Sequence, residues 1–354
     1  MNIMTLDGRI EKDLKELYHN GDINTLIDDF KKCDLSKDLC KLKEDFQNCK
    51  ISAAEDLSIR LFGTPTAFSI HGLPGYFTGN REAKTVMVML NPGSDVATND
   101  NPSIMKKLLD KLHINTTSDV NFIETYKAGN KAFGTYDREV RASTKKTKKV
   151  YPDNFDLKQA AFLKEWPKDC GVDIPDSFPP NGNKLENMDY DEALRTAENV
   201  LTQKLQLELV PYASRKFDGI SKEKYTHLFP YVKILFDEIF SENYKEKEPR
   251  YVIFCSAFFE KLFEEYNKAD SKDYPERIYF IKTVEQRRPE ILKNRVSCSL
   301  IKICRDGKKN DKQDGSYIEA IIAKTFPNQA LPNAYNRMVK YGKFCYDTYK
   351  GSNM

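Results

Sequence analysis

One asparagine stands where its side chain could bind a ligand. Asn91 begins the turn Asn91-Pro92-Gly93, which directly follows an apolar segment at residues 85–90. A side-chain amide both donates and accepts hydrogen bonds, while the fixed φ of proline and the permissive backbone of glycine shape the turn. Asn91 is therefore the first candidate for a functional residue, although the same tripeptide also forms ordinary tight turns.

The segment before Asn91 indicates where the amide would lie in the fold. Residues 85–90 read Thr-Val-Met-Val-Met-Leu without polar alternation, which is typical of a strand buried on both faces of a parallel sheet. Open α/β sheets bind their ligands at the carboxyl ends of the strands. We therefore expect Asn91 to face such a crevice.

A second group of candidates is basic and suits contact with phosphates. The segment 138–149 carries six cationic residues and one acidic residue, and the cations are Arg138, Arg141, Lys145, Lys146, Lys148 and Lys149. Arg337 and Lys340 lie in a C-terminal segment that is also rich in aromatic residues. Nucleic-acid backbones bind such clusters, although charge runs are also common in solvated loops. The formal net charge of +3 does not by itself imply a nucleic-acid partner.

The cysteines, histidines and glycines do not form the motifs of a metal or nucleotide cofactor site. The 8 cysteines and 4 histidines are dispersed, and no Cys-x-x-Cys occurs. Gly-x-Gly-x-x-Gly and the phosphate-loop Gly-Lys-Ser/Thr are also absent from the sequence. The sequence therefore does not support a metabolic enzyme built on a doubly wound sheet. We therefore expect neither a metal nor a cofactor, and free thiols.

Composition points to a soluble protein of the cytoplasm. The chain is 40% hydrophobic and 31% charged, and no stretch approaches the roughly 20 apolar residues that cross a bilayer. Its first residues lack the layout of a signal peptide. We therefore expect no membrane partner and a cytoplasmic location.

The periodicity of apolar residues predicts an α/β fold with a helical extension. Residues 1–64 show helical spacing and no strand candidate, so they form a predicted N-terminal helical cap. Residues 65–354 form one predicted α/β domain, interrupted by an irregular insertion at about 117–185. Residues 63–80 form a predicted hinge rich in glycine and proline, and residues 103–112 a predicted helix. A buried strand that starts at residue 205 is predicted to end in a proline turn at Pro211, and a last strand is predicted at residues 317–323. Strands, turns and helices thus alternate, which favours a mostly parallel central sheet flanked by helices.

Several of these segments resemble motifs of the uracil-DNA glycosylase superfamily. Leu90-Asn91-Pro92-Gly93 is similar to the first motif of its mismatch-specific and single-strand-selective branches. Residues 207–211 are similar to the middle strand, which ends at the base-recognising position. Phe326-Pro327-Asn328 resembles the His-Pro-Ser loop that enters the minor groove. The resemblance covers roughly residues 65 to 349.

The resemblance implies a three-layer α/β/α fold and an activity on nucleic acid, with DNA preferred over RNA. Members of this superfamily act in DNA repair as hydrolases that release a base flipped out of the DNA stack. Asn91 would then hold the water that attacks the sugar. Asp95 is an alternative, unless it caps the helix that follows.

The resemblance also assigns residues that would contact the base. Tyr76 or Phe77 would stack on it, unless these rings belong to the core, and Asn328 would approach it from the last loop. Glu208 stands where the family usually has an asparagine, and Phe326 stands where it has a histidine. A carboxylate accepts from amines and ring N–H groups but repels a carbonyl oxygen, which disfavours uracil.

These departures leave two functions open. The first is a divergent base N-glycosylase that hydrolyses the N-glycosidic bond. The second is a catalytically inactive protein that binds nucleic acid or a nucleobase on the same scaffold. The changes at Glu208 and Phe326 favour the second function, whereas the Asn91 turn favours the first.

Overall fold

The structure is a computed structural model, and it describes eleven parts of the chain. These are residues 5–17, 51–68, 75–91, 154–179, 189–214, 217, 219–240, 250–293, 295–305, 317–326 and 335–351.

The described residues form seven α-helices and seven β-strands. The helices are α1 (Leu6–Leu17), α2 (Ser52–Phe62), α3 (Asn154–Leu163), α4 (Tyr190–Gln203), α5 (Phe229–Ile239), α6 (Phe258–Tyr266) and α7 (Tyr335–Lys350). The strands are β1 (Phe77–Gly79), β2 (Thr85–Met89), β3 (Leu205–Glu208), β4 (Tyr251–Phe254), β5 (Arg277–Arg287), β6 (Arg295–Cys304) and β7 (Tyr317–Ala323). Short 3₁₀ helices span Lys168–Cys170 and Lys222–Leu228.

All seven strands belong to one mixed sheet, in the order β1-β3-β2-β4-β7-β6-β5. Its centre is parallel: β4 pairs with β2 on one side and with β7 on the other. The β5, β6 and β7 strands form an antiparallel meander at one edge. Because β2, β4 and β7 run in the same direction, their carboxyl ends lie at the same edge of the sheet.

The central strands are apolar because the sheet buries both of their faces. Every residue of β2 and of β4 is buried, as expected for continuous Val, Ile, Met and Phe runs. In contrast, β5 is exposed along most of its length and is mostly polar from Lys282 to Arg287, as an edge strand can be.

One face of the sheet is covered by α3, α4 and α7. Met87, Ile253 and Ile321 come from three neighbouring strands and share a buried cluster with Phe162 of α3 and Tyr341 of α7. Helices α3 and α7 also contact each other directly. This cluster is the hydrophobic core on that side of the sheet.

The opposite side of β4 is covered by α6. The ring of Phe254 lies 5.1 Å from that of Phe259 and 4.9 Å from that of Phe263. Successive strand residues point to opposite faces, so Phe254 and its neighbour Ile253 contact different helices. Helices therefore cover both sides of this central strand.

The described residues divide into two compact units. The first unit contains the described residues within Met1–Phe77, Leu90–Asp137 and Glu208–Glu238. The second unit contains the described residues within Thr78–Met89, Arg138–Leu207 and Ile239–Met354. Helices α1 and α2 and nearly all of α5 belong to the first unit. The sheet, apart from its ends at Phe77 and Glu208, belongs to the second unit with α3, α4, α6 and α7.

The α/β class and the central sheet predicted from the sequence are confirmed. The short strand β1 lies in the segment 63–80, which is a hinge rich in glycine and proline in the sequence-based prediction. Helix α3 lies within the predicted insertion, and its residues Leu157, Ala160 and Ala161 are fully buried in the core. A helix predicted at residues 103–112 lies outside the described residues.

Candidate functional site at Asn91 and the tyrosine cluster

The side chain of Asn91 is held in a defined orientation by the segment after β3. Its Nδ2 donates to Ser214 Oγ at 2.8 Å and to the Tyr212 carbonyl oxygen at 3.3 Å. Because a carbonyl oxygen only accepts, the nitrogen and not the oxygen of the amide must face Tyr212. The contacts of Ser214 and Tyr212 therefore determine the direction of Asn91 Oδ1.

The backbone near Asn91 explains why these residues meet. The amide nitrogen of Val210 donates to the Leu90 carbonyl oxygen at 2.9 Å, so the two chain segments stay adjacent beyond β2 and β3. Pro211 and Tyr212 follow directly. The proline turn predicted from the sequence thus delivers the carbonyl oxygen that orients Asn91.

The hydroxyl of Tyr212 belongs to a buried polar cluster in the same unit. The cluster consists of Arg9, Asp13, Tyr76, Tyr212 and Tyr231, and we call it the tyrosine cluster. Asp13 Oδ2 accepts hydrogen bonds from Tyr76 Oη and from Tyr212 Oη, both at 2.7 Å. Asp13 is fully buried, so these two donors replace water at a carboxylate that would otherwise be costly to bury.

Arg9 completes the cluster with a planar group that contacts all three tyrosines. Its Nε donates to Tyr76 Oη at 3.1 Å, and its Nη2 donates to Tyr212 Oη at 2.8 Å and to Tyr231 Oη at 3.3 Å. The guanidinium carbon also lies 5.6 Å from the centre of the Tyr231 ring, within the range of a cation–π contact.

One oxygen of Asp13 is bound less completely than the other. Oδ1 lies 3.4 Å from Arg9 Nε, as an ion pair. It makes no hydrogen bond within the described part of the chain. Oδ2 therefore accepts two hydrogen bonds, whereas Oδ1 interacts with Arg9 only as an ion pair.

Burial controls the protonation of the cluster. It raises the pKa of Tyr76 and of Tyr212 well above the usual value, and it also raises the pKa of Tyr231. The three hydroxyls therefore stay neutral and can donate hydrogen bonds. Burial raises the pKa of Asp13 too, and the nearby charge of Arg9 opposes this shift.

The cluster was not identified from the sequence, although α1 carries a signal. Leu6, Ile10 and Asp13 are buried at helical spacing, so an acidic residue stands in an apolar stripe. Arg9 is four residues before Asp13 and shares its face. A charged pair within a buried stripe indicates a buried polar network, but its three tyrosine partners are far away in sequence.

The base-contacting candidates Tyr76, Phe77 and Glu208 lie together around β1 and β3. The Glu208 amide nitrogen donates to the Tyr76 carbonyl oxygen at 3.1 Å, and all three residues are buried. The Tyr76 hydroxyl bonds Asp13, so its ring belongs to the tyrosine cluster. Stacking of a base on Tyr76 would require part of this cluster to open.

Two other parts of the predicted site lie in the second unit. Phe326 is buried, and its ring lies 5.1 Å from that of Phe162 and 6.3 Å from that of Phe155. It is therefore a core residue of that unit. Arg337 and Lys340 are on α7, where Lys340 is exposed and Arg337 is half-buried.

The remaining candidates lie outside the described residues. They are Asp95, Asn328 and the basic residues Arg138, Arg141, Lys145, Lys146, Lys148 and Lys149. Their assignments remain predictions from the sequence.

Neither a metal site nor a membrane-spanning helix is found in the part of the chain that the structure describes. Among the described residues, no group of three or more His, Cys, Asp and Glu side chains could hold a metal ion. None of the helices in the described ranges is both long and apolar enough to cross a bilayer. Comparisons with family models, curated proteins and solved structures gave no match.

Proposed function

We propose that this protein acts on nucleic acid, preferably DNA, as a divergent base N-glycosylase of the uracil-DNA glycosylase superfamily. In this proposal the sheet and its helices correspond to the three-layer scaffold of that superfamily. The observation that carries the proposal is the fixed amide of Asn91 beyond β2, held by Ser214 Oγ at 2.8 Å. The basic segment 138–149 would bind phosphates.

Asn91 would position the attacking water. With Nδ2 directed at Tyr212 and Ser214, Oδ1 is the atom that would accept a hydrogen bond from that water. The water oxygen bonds to the anomeric carbon, the C–N bond breaks, and the base departs with the electron pair. A proton from the water balances the base anion. An amide is a weak base, but an oxocarbenium-like transition state depends more on positioning than on early proton removal.

Glu208 would select the base. It is buried at the end of β3, next to Tyr76 in the sheet pairing. An ionised carboxylate only accepts hydrogen bonds, so it favours bases that present N–H donors over those that present a carbonyl oxygen. We therefore propose a base with an amine or ring N–H edge as the substrate.

A second candidate is a binding protein without catalysis. It is favoured by the burial of Tyr76 in the tyrosine cluster, because a ring packed in this way is not exposed for stacking. The position of Phe326 in the core also favours it, because a phenyl ring has no donor to stabilise a departing base. Both candidates share the same ligand class.

The deciding experiment is a base-release assay with oligonucleotides that contain uracil, hypoxanthine, xanthine, guanine or alkylated bases. For the enzyme, Asn91→Ala should lower kcat about 100-fold or more and change the dissociation constant little, because the amide acts in the transition state. Ser214→Ala should give a smaller loss. The control is Asn80→Ala, which removes an amide of a surface turn whose Oδ1 accepts from the Glu82 amide nitrogen.

The outcomes separate the two candidates. Base release that requires Asn91 supports the enzyme. Binding of oligonucleotides without release of any base in the panel supports the binding protein. Absence of both binding and release contradicts the whole proposal.

A further inference from the structure

The Arg9 side chain occupies a pocket that has the composition of a ligand site. Tyrosine hydroxyls from three separate chain segments converge on it, and the Tyr231 ring lies against the guanidinium. The carboxylate of Asp13 is at the inner end and is fully buried. Such a site offers hydrogen-bond acceptors around a planar group and an aromatic surface beside it.

Arg9 is also the member of the ion pair that reaches the surface. Its side chain is 17% exposed, whereas that of Asp13 is not exposed at all. The side chain of Arg9 can therefore swing towards solvent while Asp13 and the tyrosines stay in place. This motion would leave an acceptor-lined space of about the size of the whole arginine side chain.

We propose that Arg9 is an internal occupant of a binding pocket for a planar, guanidine-like group, and that guanine is the nucleobase that can replace it. The ring N1–H and the exocyclic amine of guanine form a cyclic guanidine edge with parallel donors. That edge matches a carboxylate and neighbouring hydroxyls in the way that arginine does.

The individual contacts of Arg9 indicate how guanine would bind. Asp13 Oδ1 makes no hydrogen bond within the described residues and can accept from one N–H of the base. The hydroxyls of Tyr76 and Tyr212 donate to Asp13 Oδ2 and accept from Arg9, so they can accept a second N–H. The Tyr231 ring would replace its cation–π contact with contact to the base.

The pocket is connected to the proposed catalytic amide through one residue. Tyr212 contributes its hydroxyl to the pocket and its carbonyl oxygen to Asn91. The inference rests on the proposed function in naming a nucleobase as the ligand, and it narrows the substrate to guanine-like bases. It also explains how Tyr76 can be buried at rest and still contact a base.

The test uses Arg9→Ala, which empties the pocket, and two probes, methylguanidinium and 9-methylguanine. At 100-fold excess over the dissociation constant, either probe should raise the Tm of this variant by about 5 °C. Wild-type protein should bind the probes at least tenfold more weakly, because Arg9 fills the pocket. The matched control is Lys12→Ala, which changes an exposed cation on the same helix.

Control probes and a double variant test whether binding depends on the guanidine edge and on Asp13. The probes 9-methyladenine and 1-methyluracil lack the guanidine edge and should give no rise in Tm. Arg9→Ala combined with Asp13→Asn should bind the two active probes at least tenfold more weakly. If Arg9→Ala does not fold, Arg9→Gln retains part of the side chain, and calorimetry should detect saturable binding of methylguanidinium.

Equal effects of both active probes on Arg9→Ala and Lys12→Ala would overturn the inference, and so would the absence of saturable binding to Arg9→Gln. Binding of 9-methylguanine to the emptied pocket, together with no base release and no oligonucleotide binding by the wild type, would overturn the proposed function alone. Asn91-dependent base release with no probe binding would overturn the pocket alone.

Discussion

Tyr212 links the two halves of the candidate site. Its carbonyl oxygen accepts from Asn91, and its hydroxyl donates to Asp13 and accepts from Arg9. A change in the tyrosine cluster can therefore move the residue that orients Asn91. Helix α1, which carries Arg9 and Asp13, therefore helps to position the proposed catalytic amide of Asn91.

The buried carboxylate of Asp13 should give stability a characteristic dependence on pH. Burial raises its pKa in the folded protein above the ordinary value of 3.8. The folded state then binds the proton more tightly than the unfolded state. The contribution of Asp13 to the free energy of unfolding is therefore greatest below about pH 4 and declines as pH rises through the folded pKa.

Urea denaturation of the wild type and of Asp13→Asn at several pH values measures this contribution as the difference between their free energies of unfolding. We expect the wild type to lose stability relative to the variant as pH increases. A difference that is constant or increases with pH would contradict the assignment.

Glu208 offers a direct test of base selection. Glu208→Gln keeps the size of the side chain but adds an N–H donor, so the variant can bind a carbonyl oxygen. We expect the ratio of uracil to guanine in binding or release to rise roughly tenfold. Competition between labelled oligonucleotides measures that ratio. Glu276→Gln, which changes a buried carboxylate bonded to Tyr266, should leave the ratio unchanged.

At the scale of elements, the contact between α3 and α7 depends on one glycine. A Cβ atom on Gly342 of α7 would collide with the backbone carbonyl group of Phe162 in α3. Since backbone cannot yield as a flexible side chain does, only glycine permits this close approach. The two helices therefore pack backbone against backbone at this point.

Gly342→Ala should separate α3 from α7 and lower the free energy of unfolding by roughly 3 kcal/mol. Chemical denaturation measures the loss. Lys343→Ala, which changes the exposed neighbouring residue in the same helix, should change the free energy by less than about 0.5 kcal/mol. Equal effects of the two substitutions would show that the helices adjust to the added methyl group.

Elements whose sequence signal is local were predicted closely. The apolar run at residues 85–90 became β2 (Thr85–Met89), and the segment 317–323 became β7 with the same bounds. In contrast, β1 has 3 residues and ends at Gly79, whose φ of 95° and proximity to Lys204 require glycine. From the sequence alone, Gly79 suggests a hinge and not a strand. The strand that pairs with β1 is β3, which is distant in the chain and gives no local signal near Gly79.

Of the residues that form the candidate site, the sequence pointed to Asn91, Glu208 and Tyr76. Asn91 was identified because an apolar run precedes it, whereas Glu208 and Tyr76 were identified through the resemblance to glycosylase motifs. Arg9 and Asp13 were missed, because their importance comes from tyrosines that are 63 to 222 residues away. A single sequence shows spacing along a helix, but it does not show which distant hydroxyls that helix meets.

At the scale of the whole molecule, binding to nucleic acid should depend on salt through the basic segment. Replacing Lys145, Lys146, Lys148 and Lys149 with glutamine should flatten the log–log dependence of affinity on salt. The slope should fall by about 0.7 to 0.9 for each phosphate that the segment no longer neutralises. Fluorescence anisotropy over a salt series measures the slope.

The control for this prediction removes the same charge elsewhere. Lys222, Lys261, Lys268 and Lys272 are exposed, and their joint replacement with glutamine changes the net charge equally. We expect that variant to retain the wild-type slope. If both variants lower the slope alike, the basic segment has no specific contact with phosphates.

The contact of α3 with α7 also has a consequence for biosynthesis. The core face of the sheet is completed by residues 335–350, which are translated long after α3 at residues 154–163. Until those late residues emerge from the ribosome, Phe162 and the apolar sides of β2 and β4 remain without their final cover. A nascent chain that ends before α7 therefore leaves part of this core face uncovered, and apolar surface of this kind promotes aggregation before folding is complete.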